Sequence, residues 1–159
     1  MNIKINGHQV HFSTGGREAK PDELAVLLIH GAGMDSTIWQ LQTRWLAFKG
    51  YRVFALDLPG HGQSKGKAIR SIAAMADWVA SFLNTVAVSN CAVIGHSMGG
   101  LVALDLVARY PECARSLGLL GVSGRMPVHP DLLKAAKTNL KIASALICDW
   151  GYSPRYRRI

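Results

Sequence analysis

Apolar and polar residues alternate at the start of the chain, with Ile3, Ile5, Val10 and Phe12 separated by polar neighbours on either side of Asn6-Gly7. Period-two alternation around an Asn-Gly pair predicts two antiparallel strands joined by a tight hairpin. A polar stretch over 13–23 (STGGREAKPDE) gives way to an unbroken apolar run over 24–29, the pattern of a strand buried on both faces. His30-Gly31-Ala32-Gly33 ends that run. Asp35 or Ser36 then caps a predicted helix to about Lys49, with Ile38, Leu41, Trp45, Leu46 and Phe48 near helical spacing and Gly50 as its stop.

The alternation of strand and helix repeats down the chain. A buried strand is predicted over 52–56, followed by the loop Asp57-Leu58-Pro59-Gly60-His61-Gly62. Ile72, Met75, Ala76, Val79, Phe82 and Leu83 then form a helical stripe. Residues 91–94 read as a short strand, 95–100 as a turn, 101–110 as a helix ended by Pro111, and 117–122 as another strand. From Pro127 the pattern changes to a helical run that opens at Pro130 and Asp131 and continues through Trp150. Strands alternating with helices of this length require right-handed crossovers. The predicted class is therefore α/β, a doubly wound, mainly parallel sheet with an antiparallel N-terminal hairpin.

Composition narrows the function classes. The 159 residues are 49% hydrophobic and 18% charged, a folded domain's profile rather than a disordered chain's. Cys91, Cys113 and Cys148 contain no C-x-x-C pair, which predicts neither a disulfide framework nor a zinc site and favours a reducing compartment. The N-terminus has no apolar stretch of the signal-peptide kind, so a cytoplasmic location is expected. No apolar run approaches the roughly 18 residues of a membrane span. The formal net charge is +8, but Arg155, Arg157 and Arg158 cluster at the end, Lys65 and Lys67 sit in a glycine-containing loop, and the others are scattered. Without a basic stripe, no nucleic-acid partner is expected. Trp39, Trp45, Trp78, Trp150 and Met75 fall on helical segments and are expected to serve packing.

The candidate chemistry lies at Gly95-His96-Ser97-Met98-Gly99, a G-x-S-x-G sequence placed after a predicted strand and before a predicted helix. Such a turn is tight enough to exclude side chains two residues before and after the serine, and it presents the Ser97 hydroxyl above the sheet. Ser97 is the candidate nucleophile. The backbone N–H of Met98, near the start of the following helix, is placed to donate to a developing oxyanion. A second donor is expected from the loop after the first parallel strand, Ala32 first and Gly33 second. Met34 and Met98 flank that position and are candidates to line an apolar acyl pocket. His96 is a candidate binding residue beside the serine, its side chain expected to turn away from the reacting atoms.

The segments HGAGMD, LDLPGHGQS and GHSMGG, in this order and spacing, resemble the α/β-hydrolase fold superfamily, and most closely bacterial serine hydrolases with a helical cap after the sixth strand. The resemblance implies a hydrolase core over 1–126 and the start of a cap over 127–159. It also implies a small-molecule acyl substrate cleaved at an ester or related bond, with no cofactor and no metal. The expected order of catalytic residues is nucleophile, acid, histidine. After Ser97 the acids are Asp105, Glu112, Asp131 and Asp149 and the only histidine is His129, none of them placed as that order requires. His129 reads as a solvated linker residue. The sequence is thus expected to be the N-terminal portion of a longer hydrolase, weakly active by itself. A non-catalytic, hydrolase-like module that binds a small ligand is the alternative.

Overall fold

Asn6 and Gly7 both adopt positive φ, 49° and 79°, in the computed structural model, the geometry that a two-residue hairpin matching strand twist demands. They join β1 (Asn2–Ile5) to β2 (His8–Ser13) in antiparallel register, with Ile3 opposite Val10. The structure describes residues 1–151. Four further strands follow: β3 (Ala25–Ile29), β4 (Arg52–Leu56), β5 (Cys91–His96) and β6 (Ala114–Leu120). The sheet order is β1-β2-β4-β3-β5-β6. β2 runs antiparallel to β4, while the β4–β3, β3–β5 and β5–β6 pairs are parallel, the mixed sheet that the alternating pattern predicts.

Helices α1 (Gln40–Phe48), α2 (Ile72–Thr85) and α3 (Met98–Arg109) make the crossovers. Because successive strand residues point to opposite faces, each central strand divides its side chains between two cores. Leu27 and Ile29, Phe54 and Leu56, and Cys91 and Val93 enter the larger core with α2 and α3. Val26 and Leu28, Val53 and Ala55 enter the smaller one with Trp39 and Ala47. On α2 the predicted stripe is the buried face: Met75, Ala76, Val79, Phe82 and Leu83 are buried, and Ser71 caps the helix by accepting from the Ala74 N–H. Arg109 of α3 pairs with Asp105 on its own helix and with Asp77 of α2, clamping the two helices together.

Four predicted elements of the sheet and its helices are corrected. Most of the stripe assigned to the first helix faces outward: Ile38, Leu41, Trp45 and Phe48 are exposed, Leu46 alone of the stripe packs half-buried against the smaller core, and the buried positions are Trp39, Thr43 and Ala47. A single 3-10 turn over Ser36–Trp39, capped by Asp35, precedes the helix and carries Trp39 into the smaller core. Thr43 and Ala47 are also the neighbours that a Cβ at Gly15 would strike, so the preceding loop lies directly on them. At the serine, β5 runs two residues further than predicted and α3 begins three residues earlier, so the whole turn is one residue. The last strand of the sheet begins at Ala114 rather than near Leu117.

The chain divides into two compact units, Met1–Val122 and Ser123 onward. In the second, α4 (Pro130–Thr138) and α5 (Leu140–Gly151) replace the single predicted helical run. Asn139 makes the break: its side chain accepts from the Lys141 and Ile142 N–H groups and caps α5. The three cysteines are free. Cys91 donates to the Cys113 carbonyl at 3.3 Å, and burial pushes its thiol pKa up to about 12. Burial also raises Cys113, whereas Cys148 on α5 is exposed. No helix among the described residues is long and apolar enough to cross a membrane.

Candidate active site

Ser97 forms the junction between β5 and α3 with φ 53° and ψ −121°, a left-handed conformation that a residue with a Cβ adopts only under strain. The angles are those of the first central position of a type II′ turn, usually glycine. The flanking glycines make the turn possible. A Cβ on Gly95 would collide with the Gly99 carbonyl, and a Cβ on Gly99 with the carbonyls of Ile29 and His30. The Ser97 N–H donates to the Leu120 carbonyl at 2.8 Å, tying the junction to the end of β6, and its own carbonyl accepts from Gly100 at 2.9 Å.

Met98 is the first residue of α3, so its N–H has no acceptor within the helix and lies at the positive end of the helix dipole. The contact of Gly99 with Ile29 and His30 sets this helix end against the loop that leaves β3. In that loop Met34 N–H donates to the Gly31 carbonyl at 3.3 Å and Gly33 takes φ 69°, closing a turn that presents Ala32 at its exposed tip. A Cβ on Gly31 would stand 3.1 Å from His96 Nδ1, 3.3 Å from Met34 Sδ and 3.3 Å from Ser97 Cβ. The fold therefore gathers Gly31, Met34, His96 and Ser97 at one point. The Met98 side chain packs against the larger core instead.

His96 departs from the sequence reading. Its ring does not turn away from this cluster; it lies between Gly31 and Gly121, with Nδ1 buried and without a hydrogen-bond partner. The other histidines are occupied elsewhere. His30 is fully buried, its Nδ1 donating to the Gly31 carbonyl at 2.7 Å and its Nε2 accepting from the Leu58 N–H at 3.1 Å. These bonds fix a neutral ring, and desolvation holds its pKa below the ordinary 6.5. His61 lies 5.0 Å from it, ring to ring, with Nδ1 at the Pro59 carbonyl. His129 caps α4 by accepting from the Asp131 N–H and meets Trp150 edge-on. Among the described residues no histidine is hydrogen-bonded to the Ser97 hydroxyl, and no group of three or more His, Cys, Asp or Glu could hold a metal ion.

The buried carboxylate of Asp57 is a structural residue that the sequence reading missed. Its two oxygens accept from the Ser36 and Gln63 N–H groups, both at 2.7 Å, and its carbonyl accepts from Ser64 Oγ, which in turn accepts from the His11 N–H. One side chain thus fastens the loop after β4 to the loop after β3. The signal was an acid ending an apolar strand and followed by PGHG, where Gly62 at φ 50° leaves room for that carboxylate.

Residues 20–157 match the family model described as serine aminopeptidase, S33. The chain is 39% identical over 121 residues to the dihydrolipoyllysine-residue acetyltransferase component of the acetoin cleaving system of Cupriavidus necator, covering 76% of this chain and 31% of that protein. It is 38% identical over 121 residues to the pimeloyl-(acyl-carrier protein) methyl ester esterase of Neisseria meningitidis, covering 72% of this chain and 36% of that protein. The solved structure of a thermophilic esterase superposes with a TM-score of 0.70 at 33% identity, over 92% of this chain and 54% of that one. The chain therefore spans about a third of the curated relatives it matches and about half of the solved structure. With the strand order, the strained serine junction and the match over most of its length taken together, this chain belongs to the α/β-hydrolases of the S33 family.

Proposed function

We propose that Ser97 is the nucleophile of a hydrolase that cleaves an ester or related acyl bond of a small molecule. The observation that carries this reading is the strained Ser97 backbone, held between β5 and α3 by two glycines that no larger residue can replace. Ser97 Oγ attacks the acyl carbon, and the N–H groups of Met98 and Ala32, with Gly33 as the second choice in that loop, hold the oxyanion. Met34 lines the acyl side, and His96 borders the bound substrate. Residues 127–159, of which 152–159 lie outside the described residues, are read as cap sequence. The esterase relatives support the bond type, and the strained elbow supports the nucleophile.

A serine hydroxyl without a base is a weak nucleophile, so the 159-residue chain tested by itself is expected to react slowly. A fluorophosphonate probe should add to Ser97 over hours, faster when imidazole supplies an external base, and not at all in Ser97→Ala, as read by intact mass and peptide mapping. An adduct on another residue, or none after prolonged exposure, overturns the assignment of the nucleophile. Rapid labelling without imidazole overturns the expectation of low activity. A second reading, a ligand-binding module in which Ser97 only donates a hydrogen bond, is favoured by the lack of any histidine bonded to its hydroxyl among the described residues. Saturable small-ligand binding by a chain that the probe never labels would select it.

A further inference from the structure

The N-terminal hairpin and the loop after β4 enclose a cavity of about 410 Å³ in which Ser97 takes no part. Its walls are mostly apolar, with Ile5, Val10, Ile69 and Trp78 among them; Asn6 and His8 add polar surface, and the exposed Lys65 and Lys67 belong to the lining. The volume falls within the range of small-molecule sites. No acidic residue lines it. Both lysines are exposed, and neither takes part in the ion pairs among the described residues.

The loop is fastened to the hairpin. The Lys65 N–H donates to the Gln9 carbonyl at 2.8 Å, and Gly66, at φ 98°, lies so near His8 that a Cβ there would be 3.4 Å from the imidazole ring. Position separates the cavity from the serine. β2 and β5 are divided by β4 and β3, about 14 Å at ~4.8 Å per strand. Because Phe12 is opposite Leu56, the Asn6-Gly7 turn projects beyond the carboxyl end of β4, the sheet edge at which Ser97 also stands.

A mostly apolar pocket lined by two exposed lysines with no ion pair among the described residues has a specific complement. A neutral ligand leaves both lysine charges without a partner, a cation is repelled by them, and an anion without a tail leaves the apolar walls unused. We propose that this cavity binds an amphiphilic anion, a carboxylate on an aliphatic chain, with the chain against Ile69 and Trp78 and the carboxylate between Lys65 and Lys67. Lysine suits this arrangement, since its methylene stem covers the chain while its charge stays at the water boundary.

The test uses the 159-residue chain carrying Ser97→Ala, so that turnover cannot contribute and the reading of Ser97 stands or falls separately. Tail-brominated dodecanoate, titrated as monomer, should quench tryptophan fluorescence saturably and bind about tenfold tighter than the matching dodecyltrimethylammonium cation. The quenched fraction should vanish in Trp78→Phe, and K65E/K67E should reverse the preference between anion and cation while leaving the melting temperature unchanged. Equal affinity for the two head groups, or quenching that survives both variants, overturns the proposal. So does binding to phosphatidylglycerol vesicles without binding to monomeric dodecanoate, which would make the patch a membrane-contact surface.

Discussion

On the α2–α3 face of the sheet Phe82, Leu83, Val79 and Leu106 are wholly removed from water, whereas on the α1 face Leu41, Trp45 and Phe48 stand in it, Phe48 with 84% of its surface exposed. Both faces carry helices with large apolar residues, although α1 (QLQTRWLAF) is the more polar of them. The difference is what each helix turns toward the sheet: α2 presents its large side chains, α1 presents Thr43 and Ala47. Apolar area stabilises a fold only where it leaves water. α1 is held by a small interdigitating face and by Arg17, whose guanidinium pairs with Glu23 and donates to the Ala47 and Tyr51 carbonyls, while its large residues border an open groove of about 420 Å³ with Leu28, Ile94 and Leu120.

The sharpest way to break this contrast is to truncate one phenylalanine on each helix. Phe82→Ala should lower the unfolding free energy by about 3–5 kcal/mol and Phe48→Ala by no more than about 0.5 kcal/mol in urea denaturation. Similar losses would mean that the α1 face is covered. A smaller effect comes from the sheet's carboxyl edge, where His30 is as buried as any core residue yet ionisable. Its folded pKa lies below the ordinary 6.5, so the unfolded chain takes up a proton that the native chain refuses. Stability is therefore full above that value and falls as pH drops below it, by up to about 1.4 kcal/mol per pH unit. His30→Gln should flatten the melting temperature across that window, and a slope unchanged by the substitution would assign it to another group.

Trp39 tests the open face itself, because its buried indole N–H has no partner. Trp39→Phe deletes apolar area and an unpaired donor together, so the change should stay under about 1 kcal/mol in the same urea assay. A loss above about 2 kcal/mol would show that the N–H is satisfied in solution. Trp45→Lys should leave stability within about 0.5 kcal/mol while reducing binding of a dye that reports exposed apolar surface. Unchanged dye binding would place the exposed patch elsewhere.

The same contrast explains what the sequence made legible. The α2 stripe could be read because Met75, Val79, Phe82 and Leu83 face one way and are covered, with Ile72 half-buried at its start. The α1 stripe was misread because periodicity shows that a helix has two sides and not which side meets the sheet; the Trp39–Thr43–Ala47 face carries too little hydrophobicity to declare itself. The strand alternation, the hairpin and the serine junction were readable from turn chemistry and spacing. The one-residue length of that junction was not, since it resides in a φ/ψ pair at Ser97 rather than in any apolar period. Asp57 escaped for a related reason: its partners are backbone N–H groups contributed by residues 36 and 63, and a backbone donor leaves no mark in the sequence.

Cysteine burial gives the molecule a ready-made spectroscopic address. With the Cys91 thiol pushed up to about 12 and Cys113 also raised and enclosed, a maleimide at neutral pH meets one accessible sulfur, that of Cys148 in α5. A spin label or fluorophore added to the native chain should therefore attach at one per molecule with no engineered substitution. It would report on the unit that begins at Ser123 while leaving the sheet and the serine junction chemically untouched.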